Sequence, residues 1–176
     1  MIEILSAPST PANSGGSWTQ YYEIIDGSTP ALTPGQSVSF SSDGVSYAPG
    51  SNPWAQPVRY NDTTFSITVP SSSGYIWSGC YRFFWQVPVA NAGQLALTYA
   101  VSDPSLQHNY EYTVVGTSWG HSQIIGDFMV RLNFDANTVI YFAIVNPAAN
   151  NQTINLLSSG AGNVDVATSL LIQYLQ

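Results

Sequence analysis

The chain has 176 residues, enough for one domain with a full core. Hydrophobic residues make up 44% and aromatics 13%, but charged residues only 7%, against the roughly 25% usual for soluble domains. A net charge of −7, with Arg59, Arg82 and Arg131 as the three basic residues and no lysine, excludes the clustered cations that nucleic-acid phosphates require.

Residues 1–35 are rich in Pro, Ser, Thr and Gly, most densely at Ser6-Ala-Pro-Ser-Thr-Pro-Ala-Asn-Ser-Gly-Gly16. That composition predicts an arm or linker without a core of its own. Trp18, Tyr21, Tyr22 and Ile24 near its end are candidate contacts by which the arm docks on the domain or on a neighbour.

From residue 36 to 176 the pattern predicts a single domain of strands separated by turns. The expected strands are 37–41, 58–60, 64–69, 79–89, 94–101, 110–115, 124–134, 138–146, 152–157 and 167–175. Turn chemistry marks the breaks at Asp43-Gly44, Pro49-Gly50, Asn91-Ala-Gly93, Ser102-Asp-Pro104 and Asp135-Ala-Asn137. The last of these, between two alternating runs, reads as a hairpin loop. In the run from Gly79 to Val89, Tyr81, Phe83, Trp85, Val87 and Val89 alternate with Arg82, Phe84, Gln86 and Pro88, the period of a strand with one buried face. Leu170, Ile172 and Tyr174 alternate in the same way, which places the C-terminal strand inside a sheet. Spacing of this kind points to an antiparallel sandwich or barrel.

Several of these strands resemble a known family. Phe65-x-Ile-x-Val, Gly79-x-Tyr-x-Phe-x-Trp-x-Val, Leu95-x-Leu, Gln123-Ile-Ile-Gly-Asp-Phe-Met-Val-Arg-Leu, Thr138-Val-Ile-Tyr-Phe and the closing Ala167-Thr-Ser-Leu-Leu-Ile-Gln-Tyr-Leu are similar to the core of complement globular-head and tumour necrosis factor-like jelly rolls. The nearest flavour is the microbial or viral branch, with spore-surface collagen-like glycoprotein heads. The resemblance covers about residues 64–176. It implies an all-β antiparallel jelly-roll sandwich, here with an extended N-terminal arm, and a compact homotrimer. The chain departs from that family in lacking a collagen-like stalk.

Signals for chemistry are weak. His108 and His121 are the two histidines, Ser122 follows His121, and Asp127 lies nearby, but no nucleophile elbow is present. The acids at Asp43, Asp62, Asp103 and Asp135 fall in turn contexts, where Asp usually caps its own backbone. No calcium loop is visible. The single cysteine, Cys80, permits no internal disulfide and reads as a small buried hydrophobe. Catalytic residues, cofactors and metal ligands are therefore not expected, and the chain is not read as an enzyme.

The first residues lack a basic region or apolar run, so no signal peptide is expected, and no stretch reaches the ~18 apolar residues of a membrane helix. Neither nucleic acid nor membrane is an expected partner. The expectation is a structural protein that forms homotrimers and builds or decorates a virion or phage particle, with the arm contacting other particle proteins. The alternative is an adhesion or receptor-binding head that takes glycans through Tyr110, Tyr112, Trp119 and His121, aromatics gathered in one region. Either role places the protein on a virion or an extracellular surface.

Overall fold

In the computed structural model the described residues are 18–24, 30–47, 57–71, 77–105, 108–109, 113–157 and 167–175. In chain order the strands are β1 (Trp18–Ile24), β2 (Ala31–Leu32), β3 (Ser42–Tyr47), β4 (Val58–Asn61), β5 (Thr64–Thr68), β6 (Trp77–Val89) and β7 (Gly93–Val101). They continue with β8 (His108–Asn109), β9 (Val115–Thr117), β10 (Ser122–Phe134), β11 (Val139–Val145), β12 (Ile154–Asn155) and β13 (Ala167–Tyr174). A 3-10 turn spans Ala148–Asn150, and Thr113 is also in 3-10 conformation. Among the described residues no helix is long and apolar enough to cross a membrane.

Two sheets form the body. One has the order β10-β6-β13-β1-β3, the other β4-β5-β11-β7-β8, with β9 also pairing to β7. Neighbouring strands pair antiparallel, yet β6 lies beside β13 and β5 beside β11, so most neighbours are distant in sequence. The links from β5 to β6, β6 to β7 and β10 to β11 each cross from one sheet to the other. Long returns of this kind make the jelly roll that the sequence leads one to expect.

Alternation decides which side chains meet. On β6, Tyr81, Phe83, Trp85, Val87 and Val89 are fully buried between the sheets. Arg82, Phe84 and Gln86 face outward and are half-buried. Trp77–Val89 pairs without a break against Ser122–Phe134, and Tyr81–Gln86 pairs on its other side with Ser169–Tyr174. The C-terminal strand thus lies in the middle of its sheet. Phe83 meets Phe142 across the core at 4.8 Å between ring centroids, and Tyr21 meets Phe65 at 4.3 Å. Each large apolar side chain so buried stabilises the fold by roughly 1.5–3 kcal/mol before entropy is counted.

One glycine is dictated by packing. Gly126 on β10 stands directly opposite Trp85 on β6, and a Cβ at that position would fall inside the indole ring. Phe128, two residues on, stacks on the same indole at 5.3 Å. Trp85, the largest fully buried side chain, is therefore seated in a space left open by the missing side chain.

Several expectations are corrected. The arm does not extend to residue 35: Trp18–Ile24 is a sheet strand between β13 and β3, and Tyr21 is buried in the core. Trp18, Tyr21, Tyr22 and Ile24 thus lie in a strand paired within the sandwich. The reason is that Tyr21 sits against Phe65 and donates its hydroxyl hydrogen bond to the Pro57 carbonyl at 3.0 Å, joining the two sheets. Residues 1–17 lie outside the described residues. Asp135-Ala-Asn137 is not a hairpin loop but a corner between sheets, because β10 pairs with β6 whereas β11 pairs with β5 and β7. Asp43-Gly44 lies within β3, not in a turn. The expected strand at 37–41 reduces to a bridge between Ser37 and Val145, with Val38 and Phe40 still buried. Of the expected strand at 110–115, residues 110–112 lie outside the described residues, Thr113 and Val114 are not strand, and Val115 opens β9. The tightest hairpin is instead β4–β5, where Asn61 pairs with Thr64 and the Asn61 side-chain oxygen accepts the Thr63 N–H at 2.9 Å.

Gly126→Ala is expected to cost about 3 kcal/mol or more in urea unfolding, the upper end of overpacking penalties. Paired with Trp85→Phe, the double variant should lose less than the sum of the two single changes, because both act on one contact.

Candidate functional site

The outward face of the five-stranded sheet follows from the same alternation. Direct antiparallel partners share a face, so Asp127, Phe84, Leu171 and Gln20 form one row across four strands. Ile125, Gln86 and Ser169 form a row on one side of it, and Met129, Arg82 and Gln173 a row on the other. Gln20, Phe84, Gln86, Ser169, Leu171 and Gln173 line an open hollow of about 410 Å³. Beside it, Met129 is 73% exposed and Ile125 48% exposed. Exposed apolar groups gathered on one face, with amides between them, are the composition of a contact surface.

One ion pair sits in this face. Arg82 donates from Nε to Oδ1 of Asp127 at 2.7 Å and from Nη2 to Oδ2 at 2.6 Å, a bidentate fork. Its guanidinium carbon also lies 5.7 Å from the centre of the Phe84 ring. The guanidinium holds the Asp127 carboxyl below the usual carboxylate range, chiefly through these hydrogen bonds, and raises the Arg82 pKa in return. Asp127 stands five positions from Ser122 on β10, opposite Phe84 rather than Val89, and so on the other face of the strand.

The other cluster is at the end of the sandwich where β9 runs into β10. Trp119 is 76% exposed on the loop between them. Its N–H donates to the Thr117 hydroxyl at 3.1 Å, and that hydroxyl donates to the Trp119 carbonyl at 3.3 Å. His121 is exposed, has a left-handed backbone (φ 52°), and donates its N–H to the Ala90 carbonyl at 3.2 Å. Of the four candidate recognition residues, Trp119 and His121 thus lie exposed on one loop. Tyr110 and Tyr112 lie outside the described residues, so nothing here joins them to Trp119. Among the described residues no group of three or more His, Cys, Asp and Glu side chains could hold a metal ion. Cys80 is half-buried, less enclosed than expected.

Sequence reasoning passed over Phe84, Leu171, Ile125 and Met129. The signal was available: these are apolar residues in the outward phase of strands whose inward phase was already recognised.

No family model matches the chain, and no curated protein does. Among solved structures, the globular domain of zebrafish complement 1qA is similar, at 10% identity over 91% of this chain and 96% of that one, with a TM-score of 0.48. Eiger TNF from S. frugiperda is similar at 7% identity over 92% and 94%, with a TM-score of 0.47. The PRD1 vertex protein P5 is similar at 12% identity over 91% and 96%, with a TM-score of 0.44. These are the complement-head and tumour necrosis factor-like jelly rolls that the sequence resembles. At such identities the likeness concerns fold only, and the architecture rests on the strand order described above.

The Arg82–Asp127 pair gives a signed pH dependence. A lowered folded pKa stabilises above the ordinary carboxylate value of 3.8 and loses that contribution as pH falls through the lower folded value. Urea midpoints of the wild type are therefore expected to fall more steeply in acid than those of Asp127→Asn, the difference shrinking to nothing at the lowest pH. Parallel curves would show that the pair contributes nothing.

Proposed function

We propose that this chain is a non-enzymatic structural protein that associates with copies of itself, as a trimer, to build or decorate a particle surface. The carrying observation is the outward face of the β10-β6-β13-β1-β3 sheet. There Phe84 and Leu171 line an open hollow, and Ile125 and Met129 stand exposed beside it. A second copy suits this face because its chemistry is largely self-complementary: apolar groups meet apolar groups, amides pair with amides, and Arg82 and Asp127 neutralise each other within the chain, with Arg131 exposed at its side. The number three comes from the family resemblance of the sequence. The particle role is supported by composition. A surface with only 7% charged residues and no lysine lacks the charges that ordinarily keep strand edges apart. On this reading residues 1–17, which precede β1 in the sequence, contact other proteins of such a particle.

The test is the mass in solution by light scattering. The full chain is expected at three times its 19.0 kDa. Leu171→Glu and Phe84→Glu, both outward-facing changes, are each expected to shift it to one chain mass while keeping the β-sheet circular dichroism signal. A wild-type monomer would sink the self-association reading. Deleting residues 1–17 is expected to leave the mass unchanged and remove attachment to the particle, whereas deletion through residue 35 would also remove β1 and with it the Tyr21 contact.

A further inference from the structure

Three loops meet at the Trp119 end of the sandwich. His121 and Gly120 pack on Ala90, close enough that a Cβ on Gly120 would lie 2.6 Å from the Ala90 carbonyl oxygen. Ala90 in turn donates its N–H to the Asn155 carbonyl at 2.7 Å. Asn91 holds the same neighbour with both ends of its amide: Nδ2 donates to the Thr153 carbonyl at 2.8 Å, and Oδ1 accepts the Asn155 N–H at 2.7 Å. The loop that carries Trp119 is thus fixed to its surroundings by backbone bonds, and the indole itself extends into solvent.

The described residues of this end are also without formal charge: residues 86–102, 113–126 and 146–157 contain no Asp, Glu, Lys or Arg. Besides Val114, Trp119 and Ile125 they expose amides, hydroxyls and an imidazole, at Ser118, His121, Gln123, Thr153 and Asn155. The neighbours of the indole along its loop, Ser118, Gly120 and His121, are polar or lack a side chain.

We propose that this end of the sandwich binds neutral carbohydrate. A pyranose presents an apolar C–H face and a rim of hydroxyls, and an exposed indole on a loop tied to Ala90, with amides and hydroxyls on the neighbouring loops, offers both complements. An anionic sugar or phosphate would find no cation among the described residues here. A sugar bridged through calcium would find no carboxylate among them. A protein partner calls for a contiguous apolar centre rather than one isolated ring in a polar setting. The inference stands on the Trp119 loop and not on the self-association of the sheet face, so either can fail without the other.

The test uses the full chain titrated with neutral oligosaccharides of glucose, galactose, mannose and N-acetylglucosamine, with sialylated oligosaccharides alongside, read by calorimetry and tryptophan fluorescence. At least one neutral oligosaccharide is expected to bind saturably and the sialylated ones no better. Trp119→Ala should weaken that binding by about tenfold or more, the effect of losing a central aromatic contact. Trp119→Phe should weaken it less. Urea midpoint and solution mass are expected to stay at wild-type values in both variants, since the indole is exposed and the loop bonds are made by backbone. The proposal is overturned if no neutral oligosaccharide binds, if sialylated ones bind better, or if Trp119→Ala binds as the wild type does. It is also overturned if Trp119→Ala lowers the solution mass, which would assign the indole to a contact between copies.

Discussion

The burial of alternate side chains along β6 is the constraint on which the other elements depend. With Tyr81, Phe83, Trp85, Val87 and Val89 all withdrawn from water, the strand must be covered by a second sheet and flanked on both sides. β10 and β13 supply the flanks, and β5, β11 and β7 supply the cover. A shift of one residue in either pairing would send Phe84 and Arg82 inward and Trp85 outward. The Trp85–Gly126 contact adds a lock to the register, since only one position on β10 lacks the Cβ that the indole would strike.

The same periodicity determines the surface. Inward residues of β6, β10 and β13 are apolar by necessity, while the outward phase is free to differ. In most antiparallel sandwiches that phase is charged or polar. Here it carries Phe84, Leu171, Ile125 and Met129, with glutamines, Arg131 and the internally neutralised Arg82–Asp127 pair. Half-exposed in one chain, the Arg82–Asp127 pair contributes little to stability. Covered by a neighbour, it would be desolvated, and the bidentate geometry would decide whether the cost is offset. The pair thus bears more on how two surfaces fit than on how one chain folds.

The candidate sites were only partly legible in the sequence. Trp119 and His121 stood out because an aromatic amid Gly and Ser between two strands has few reasons to be buried, and the structure leaves both exposed. The sheet face was missed because Phe84 stands between Phe83 and Trp85, and an apolar side chain in the outward phase of one strand says nothing of which strands lie beside it. Trp18, Tyr21, Tyr22 and Ile24 were read as the end of an arm that docks on the domain or on a neighbour, not as a strand of its sheet. A Pro- and Ser-rich approach masks a short strand, and one strand whose partners are β13 and β3 gains its stability from residues more than twenty positions away or at the other end of the chain.

What the sequence determined by itself was the local period and the composition: which segments are extended, which side chains pair with the core, and that charge plays a small part in what the surface does. Those properties reside in a few consecutive residues and in the covalent geometry of the strand. The tertiary structure alone decided the order of the strands, that Asp135-Ala-Asn137 turns a corner between sheets rather than closing a hairpin, and that loops near residues 90, 120 and 154 are joined by hydrogen bonds at one end of the sandwich. Each of these depends on contacts between positions far apart in the chain, set by which apolar faces can cover one another, and no local window of sequence contains that information.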